Sequence, residues 1–310
     1  MLLKNGLIFR STGSWYELQD EEGNMISCRL KGKFKIKNLK VTNPLAVGDR
    51  VRFFVEDEVE NTGVIAEIIP RKNYIIRKSV HKTAHGHLLA CNIDQLVLIV
   101  TLASPKTSLG FIDRMLVTAE TFRIPVLLVF NKFDLLNEVG ALFQEELISL
   151  YKSLGYGCLV TSVEDKVGIK PFKAALKNKV SLVSGHSGVG KSSLINLLDI
   201  NLDLPINEIS TFSNKGVHTT TFAEMYEISK NTFIIDSPGI KELGLMEIDN
   251  SELAHYFPEF RELLGLCKFH NCMHINEPHC AVKDALDNEK IAHSRYLSYL
   301  SMYENHDNRR

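Results

Sequence analysis

The chain has 310 residues, of which 45% are hydrophobic and 24% charged, and its formal net charge is −1. That length provides for two or three domains with cores of their own, and the composition is that of a soluble globular protein. The balanced charge excludes a global electrostatic pull toward nucleic acid or an anionic membrane, so any such binding must come from local patches. No apolar run approaches the roughly 18 residues needed to cross a bilayer. The opening MLLKNGLIFRSTGS turns polar too soon for a signal peptide, so a cytoplasmic protein is expected.

Residues 1 to about 75 alternate short β-like segments with the turn signals STGS, DEEGN, NPLAVGD and ENTG, which predicts a small all-β barrel. Within RLKGKFKIKNLK (29–40), Arg29, Lys31, Lys33, Lys35 and Lys37 recur at every second position with Leu30, Phe34 and Ile36 between them. As a strand, this stretch would hold its cations on one face. Such a face fits a phosphate backbone, and it also fits an ordinary solvated surface. The stretch 76–92, containing HKTAHGH, is expected to be a linker. His81, His85 and His87 have no Cys or carboxylate beside them, so a polar loop is the expectation there.

From residue 93 the pattern changes. QLVLIVTLA (95–103), VLLVF (126–130), GCLVT (157–161), VSLVS (180–184) and TFIID (232–236) are apolar runs separated by amphipathic segments. Alternation of this kind predicts a parallel sheet covered by helices on both faces, with ligands at the carboxyl ends of the strands. Beyond about 240, SELAHYFPEFRELLGL and CAVKDALDNEKIAHSRYLSYLSMYENH read as two helices flanking a Cys/His-rich loop.

Three motifs fall at predicted strand ends. Gly185-His186-Ser187-Gly188-Val189-Gly190-Lys191-Ser192, followed by Ser193, matches G-x-x-x-x-G-K-[ST] between a strand and a helix start. Its backbone N–H groups and the helix N-terminus suit phosphates. Lys191 would neutralise the β- and γ-phosphates, and Ser192 would hold Mg²⁺. Asp236-Ser237-Pro238-Gly239 closes the strand TFIID, placing Asp236 for Mg²⁺ and the Gly239 N–H for the γ-phosphate. The threonines of GVHTTTF (216–222), Thr220 among them, would give Mg²⁺ a further hydroxyl in a loop ordered by the γ-phosphate. Asn131-Lys132-Phe133-Asp134 ends VLLVF. Asp134 can accept from guanine N1–H and its exocyclic amine, which adenine cannot offer. Asn131 would tie the loop to its neighbours, the Lys132 stem can cover the base, and Thr161-Ser162 is placed at the base edge.

The order along the chain is base loop, second base loop, phosphate loop, threonine loop, D-x-x-G. That is a cyclic rotation of the order usual in GTP-binding proteins, with every element kept. Domain ends often lie close together, so joining them and opening the chain elsewhere leaves the site intact. Two alternatives remain open on these residues: a P-loop ATPase or kinase with an accidental N-K-x-D, and a non-hydrolysing nucleic-acid-binding module. The residue after DSPG is Ile240, which cannot orient an attacking water as a glutamine there would. Intrinsic hydrolysis should therefore be slow, and His218 is the internal candidate for the missing group.

Of the six cysteines, Cys28, Cys91 and Cys158 stand alone as expected free thiols. Cys267, Cys272 and Cys280 crowd together with His270, His274 and His279. Three thiolates and one imidazole make a closed structural zinc set, with each of the three histidines a candidate fourth ligand.

The chain resembles the circularly permuted bacterial GTPases called ribosome small subunit-dependent GTPase A. The GDRVRF segment, NKFD, GHSGVGKSSLIN, HTTT, DSPG and CKFHNCMHINEPHCAVKDAL carry the resemblance over essentially the whole length. It implies an OB-fold RNA-binding barrel over 1–75 and a permuted GTPase domain over 76–240. A helical zinc-binding domain would follow over 241–310. The family spacing C-x₄-C-x-H-x₅-C selects His274 as the fourth ligand. The resemblance further implies GTP hydrolysis stimulated by the small ribosomal subunit during its late maturation. Lys31, Lys33, Lys35 and Lys37 would then contact rRNA, and a monomer suffices.

Overall fold

The computed structural model describes residues 2–32, 41, 43–78, 86–198, 223–236 and 248–304. The first five strands are β1 (Lys4–Thr12), β2 (Trp15–Asp20), β3 (Met25–Leu30), β4 (Arg50–Asp57) and β5 (Thr62–Ile68). They follow the order β1-β2-β3-β5-β4, and β4 pairs back onto β1, closing the expected barrel. Alternation along β2 turns Tyr16 and Leu18 inward, where they meet Ile8, Ile26, Val51, Phe53 and Ile65.

The turn before β4 explains the Gly-Asp pair of GDRVRF. Gly48 has φ +87°, and a Cβ there would stand 2.1 Å from the carbonyl oxygen of Cys91. Asp49, fully buried, accepts two hydrogen bonds from Arg71 (2.6 and 2.7 Å) and one from the Ala46 N–H (2.9 Å). The turn thus fastens the barrel to the segment that follows. That segment was expected as a linker, but its described part is a two-stranded ladder. β6 (Tyr74–Lys78) pairs antiparallel with β7 (Gly86–Cys91), and Ile76, Leu88 and Cys91 pack with Ala46. His87 lies half-buried on β7, while His81 and His85 fall outside the described residues.

β8 (Gln95–Val100), β9 (Val126–Phe130), β10 (Gly157–Val160), β11 (Val180–Ser184) and β13 (Thr232–Asp236) form the parallel sheet, in the order β10-β9-β8-β11-β13. An antiparallel strand absent from the sequence reading, β12 (Glu224–Ser229), completes its edge. Apolar residues run continuously along β8 because both faces are covered. Leu96, Leu98 and Val100 face α1 (Leu109–Thr121) and α2 (Glu138–Ser153) through Phe111, Ile112, Met115 and Leu147. Val97 and Ile99 face α3 (Ile169–Leu176) and α4 (Lys191–Asn196) through Phe172, Leu176, Leu194 and Ile195. Each such side chain contributes about 1.5–3 kcal/mol by leaving water. β12 also bridges β1 at Arg10↔Glu224, supported by an Arg10–Glu224 ion pair (2.8 Å) and the edge-to-face rings of Phe9 and Phe233.

The C-terminal unit is helical, but its helices are shorter than expected. SELAHYFPEFRELLGL does not form one helix. It contains a 3₁₀ turn (Leu253–Tyr256) and α5 (Pro258–Arg261). Proline disfavours helical backbone in the residue before it, so Phe257 is extended (φ −104°, ψ 108°) and a new helix begins at Pro258. The last segment likewise divides into α6 (Ala281–Asp287) and α7 (His293–Tyr303), with Glu289 at φ +57° between them. Phe257, Phe260, Val282, Tyr296 and Tyr299 build a core that also takes in Val117 of α1.

Docking of this unit on α1 centres on a buried charge cluster. Arg295 of α7, 1% exposed, donates to Asp113 of α1 (2.7 Å) and to Glu259 of α5 (2.7 Å). The Tyr151 hydroxyl also donates to Asp113, at 3.0 Å. Burial pushes the Asp113 carboxyl above its ordinary value, while the guanidinium pulls against that rise. Arg261 and Glu120 form a second ion pair across the same seam. Among the described residues no helix is long and apolar enough to cross a membrane.

Gly48→Ala should lower the melting temperature clearly more than Gly13→Ala does. Both positions have positive φ, but only at Gly48 does the added methyl meet backbone within 4 Å. The Gly13 change is then limited to the left-handed backbone penalty of about 1–2 kcal/mol. Equal losses in a thermal melt would remove the packing argument at Gly48.

Candidate nucleotide site and metal centre

The five parallel strands deliver their carboxyl ends to one edge, and the phosphate loop, the two base loops and Asp236 lie there. After β11 the chain turns through Gly185 (φ +148°), Gly188 (φ +80°) and Gly190 (φ +90°) before α4 begins at Lys191. Glycine is required at two of these positions for space as well as for φ. A Cβ on Gly185 would lie 2.3 Å from the carbonyl oxygen of Ile99, and one on Gly190 would lie 2.5 Å from Asn131 Nδ2. Val189 is buried, anchoring the loop from beneath. The Lys191 ammonium lies within the turn, donating to the carbonyls of Gly185 (2.9 Å) and His186 (2.7 Å). Ser192, also buried, occupies the first turn of α4, with Ser193 after it. Asp236 ends β13 next to Val183 of β11, on the same edge as the phosphate loop.

Asn131 fastens the two base loops to the phosphate loop. Its Nδ2 donates to the Val189 carbonyl (2.8 Å), and its Oδ1 accepts from the Thr161 hydroxyl (2.9 Å). Its own N–H donates to Val100 (2.8 Å), the last residue of β8. Lys132, in the left-handed region at φ +61°, turns the chain so that Asp134 faces the second base loop. There the Ser162 hydroxyl donates to Asp134 Oδ1 (2.6 Å) and accepts from the Asp165 N–H (3.0 Å). One carboxylate oxygen is thus fixed by the protein, which sets the direction of the other.

Two neighbours of this site have no motif to announce them. The loop after β8 closes on itself through Thr101 and Thr107 and presents the Ser104 carbonyl to the Lys132 ammonium (2.8 Å). Phe111 of α1 packs against the His186 ring with centroids 3.9 Å apart. The signal available was position, since both follow a carboxyl end of a buried strand. Lys33, Lys35, Lys37, His218, Thr220, Gly239 and Ile240 lie outside the described residues. Lys31 is described and exposed, one residue past the end of β3, and Arg29 of that strand pairs with Glu56 at 3.1 Å.

In the C-terminal unit, Cys267, Cys272, His274 and Cys280 bring their donor atoms within 4.8 Å of one another. The His274 Nδ1 lies 3.3 Å from Cys280 Sγ and 3.6 Å from Cys267 Sγ, and the Cys267 and Cys280 sulfurs are 4.0 Å apart. A tetrahedral ion with sulfur and nitrogen ligands sets them about 3.5–3.8 Å apart, so the donor set fits a metal ion. Of the three candidate histidines, only His274 joins the cluster; His270 and His279 are exposed. Burial lowers the His274 pKa, favouring the neutral imidazole that a metal requires. Burial also pushes the Cys272 thiol up to about 12, so without a cation it would stay protonated. The loop is held by Glu277, which accepts from the N–H groups of Met273 (2.7 Å), Ile275 (3.0 Å) and Asn276 (3.1 Å). Tyr296 and Tyr299 donate to the carbonyls of His274 and Met273 (both 2.7 Å). The isolated thiols behave as expected: Cys28 and Cys91 are buried and Cys158 half-buried, with burial raising all three pKa values.

The family model described as RsgA GTPase matches residues 68–246, and the RsgA N-terminal domain model matches residues 5–65. The chain belongs to the RsgA GTPase family. A relative from Cytophaga hutchinsonii, named small ribosomal subunit biogenesis GTPase RsgA, is 54% identical over 307 residues, covering 98% of this chain and 99% of its own. A relative of the same name from Flavobacterium psychrophilum is 48% identical over 305 residues, covering 97% of this chain and 93% of its own. The crystal structure of YjeQ from Thermotoga maritima is 36% identical with a TM-score of 0.79, covering 100% of both chains. YloQ, described as a circularly permuted GTPase, is 27% identical with a TM-score of 0.75, covering 100% of this chain and 96% of its own. RsgA membership agrees with the permuted motif order, and the likeness extends over the barrel and the helical unit as well as the GTPase sheet.

Two outcomes follow from this geometry. Asp134→Asn should weaken GTP binding by 5- to 150-fold and leave ATP binding unchanged, the equivalent of about 1–3 kcal/mol for an unpaired buried donor; competition binding of the two nucleotides reads this directly. Elemental analysis should find one metal ion per chain in the purified protein and in His270→Ala, and a large loss in Cys280→Ser. Retention of metal by the cysteine variant would remove the four-ligand assignment.

Proposed function

We propose that this chain hydrolyses GTP to GDP and phosphate in late maturation of the small ribosomal subunit, and that the subunit stimulates the reaction. The observation that carries the guanine part is the placement of Asp134. Its carboxylate is aimed by Ser162, in a loop that Asn131 joins to the phosphate loop by a 2.8 Å hydrogen bond. A P-loop ATPase with an accidental N-K-x-D would have no reason to bring these loops together. The ribosomal part is supported by the names of the relatives and their near-complete coverage of this chain.

In this reading the glycine loop 185–190 binds the phosphates through backbone N–H groups, and Lys191 exchanges its two loop carbonyls for β- and γ-phosphate oxygens. His186, Ser187, Gly188, Val189 and Ser193 complete the cradle. Asp134, Thr161 and Ser162 read the guanine edge, with Lys132 across its face. Ser192, Asp236 and Thr220 would hold Mg²⁺, which would supply charge neutralisation to the β- and γ-phosphates. Gly239 would meet the γ-phosphate. His218 would orient or deprotonate the attacking water, the task that Ile240 cannot perform.

The metal of the C-terminal unit is zinc in this reading, held by Cys267, Cys272, His274 and Cys280. Four protein ligands leave no open coordination position, so the ion is structural. The barrel over 1–75 and the helical unit over 241–310 would grip rRNA, Lys31, Lys33, Lys35 and Lys37 among the contacts, with 76–240 as the GTPase domain. The compartment is then the cytoplasm, where the subunit assembles, and the protein acts as a monomer.

The deciding experiment is GTP turnover by the purified protein with and without purified small ribosomal subunits. A slow basal rate that rises at least tenfold with small subunits, and not with large ones, is the expected result. A rate indifferent to small subunits would overturn the ribosomal part and leave the guanine part standing.

A further inference from the structure

Helix α2 leaves the base loop with an apolar face turned outward. Val139, Leu142 and Phe143 recur at helical spacing and are 74%, 62% and 38% exposed, and Leu135, just before the helix, is 52% exposed. At about 100° per residue these helical positions lie on one side. The buried residues Gln144, Leu147 and Tyr151 lie roughly a third of a turn away, so the outward face is not needed to hold the helix on the sheet. Single exposed leucines are ordinary, but three apolar side chains within two turns, continued by a fourth, are the kind of patch that marks an interface.

The charge around the patch selects the partner. Glu146 extends the apolar stripe along the helix, and Glu138 and Glu145 border it; all three are exposed. The hydrogen bond from Ser162 to Asp134 brings the next loop alongside, adding exposed Glu164 and Asp165 against one lysine, Lys166. Phosphate backbones and anionic lipid surfaces are repelled by such a rim. A basic protein segment is attracted to it, and an apolar side chain of that segment can cover Leu142 and Val139. We infer that this face of α2 docks a Lys/Arg-rich protein of the small ribosomal subunit and does not contact rRNA. The inference rests on the ribosomal reading above. It concerns the base-binding side of the site, so the contact would be made whatever the state of the γ-phosphate.

The test is binding of purified small subunits to the full-length protein and to the triple variant Glu138→Lys, Glu145→Lys, Glu146→Lys, with basal GTP hydrolysis confirming that the variant is folded. Reversing the rim should weaken subunit binding on the order of tenfold, from three lost charge pairs, and leave basal turnover unchanged. Had the face met rRNA, the added lysines would tighten binding instead. As a second readout, a photoreactive phenylalanine analogue at Leu142 should cross-link to a basic protein of the bound subunit. Unchanged or tighter binding by the variant, or cross-linking to rRNA, to a second copy of the chain or to nothing, overturns the docking surface. Failure of the unaltered protein to bind subunits at all overturns the ribosomal reading, and this inference with it.

Discussion

The side-chain amide of Asn131 is the joint on which the nucleotide site depends. A primary amide carries donors on one side and an acceptor on the other. Here the donor side takes the Val189 carbonyl of the phosphate loop and the acceptor side takes the Thr161 hydroxyl of the second base loop. Three loops that are 30 and 58 residues apart along the chain are held by one buried group. The contact also constrains glycine usage, because Gly190 must lack a Cβ for the amide to approach. The joint is indifferent to the order in which the chain visits the loops. It requires only that β8, β9, β10 and β11 be neighbours with their carboxyl ends together. This is why a permuted chain keeps the phosphate loop and the two base loops together.

Permutation does determine what is attached where. β13, which ends at Asp236, pairs with β12, and β12 pairs with barrel strand β1. Phe233 on β13 also meets Phe9 of the barrel directly. Beyond Asp236 the chain runs on to the helical unit, which returns to pack on α1 through Arg295 and Asp113. Removing one partner of a buried pair of this kind costs about 3–5 kcal/mol, because the other charge is left desolvated. Docking is therefore specific to one orientation. α1 in turn carries Phe111 against His186 of the phosphate loop.

Much of the central sheet was legible because burial on both faces writes itself as continuous apolar runs, and because each motif sits at a strand end where a ligand can reach it. The cluster that could hold a metal ion was legible in residue type, since thiols clustered with imidazoles in a core-poor segment have few other uses; spacing alone did not choose among three histidines. What escaped was set by contacts distant in sequence. Arg295 finds Asp113 across 182 residues, and nothing local distinguishes it from a surface arginine. β12 lacks a continuous apolar run: its buried Met225 and Ile228 stand three positions apart, belong to different cores and are separated by less buried Tyr226 and Glu227. The C-terminal helices were read too long because hydrophobic periodicity continues through Pro258 and through Glu289, where the backbone does not. In the barrel, the basic alternation of 29–40 can be compared only at its start, where β3 ends at Leu30 and Gly32 takes φ +74°; residues 33–40 lie outside the described residues.

The barrel, the sheet and the helical unit thus meet in an unequal way. Among the described residues the barrel joins the sheet edge through a ladder bridge, the Arg10–Glu224 ion pair, the Phe9–Phe233 ring contact and a share in the sheet's own core, which takes in Phe9 and Val47, while Asp49 and Arg71 lock it to the segment leading into β6. The helical unit shares a core residue, Val117, with the sheet and buries its principal ion pair completely. Exposed ion pairs such as Arg10–Glu224 contribute little, about 0–1 kcal/mol, whereas the apolar seam around Val117 and the buried cluster at Arg295 are lost only together with packing. Both seams therefore include shared apolar core, and what distinguishes them is charge: the Arg10–Glu224 pair between barrel and sheet is partly exposed, and the Arg295–Asp113 pair between the helical unit and α1 is buried.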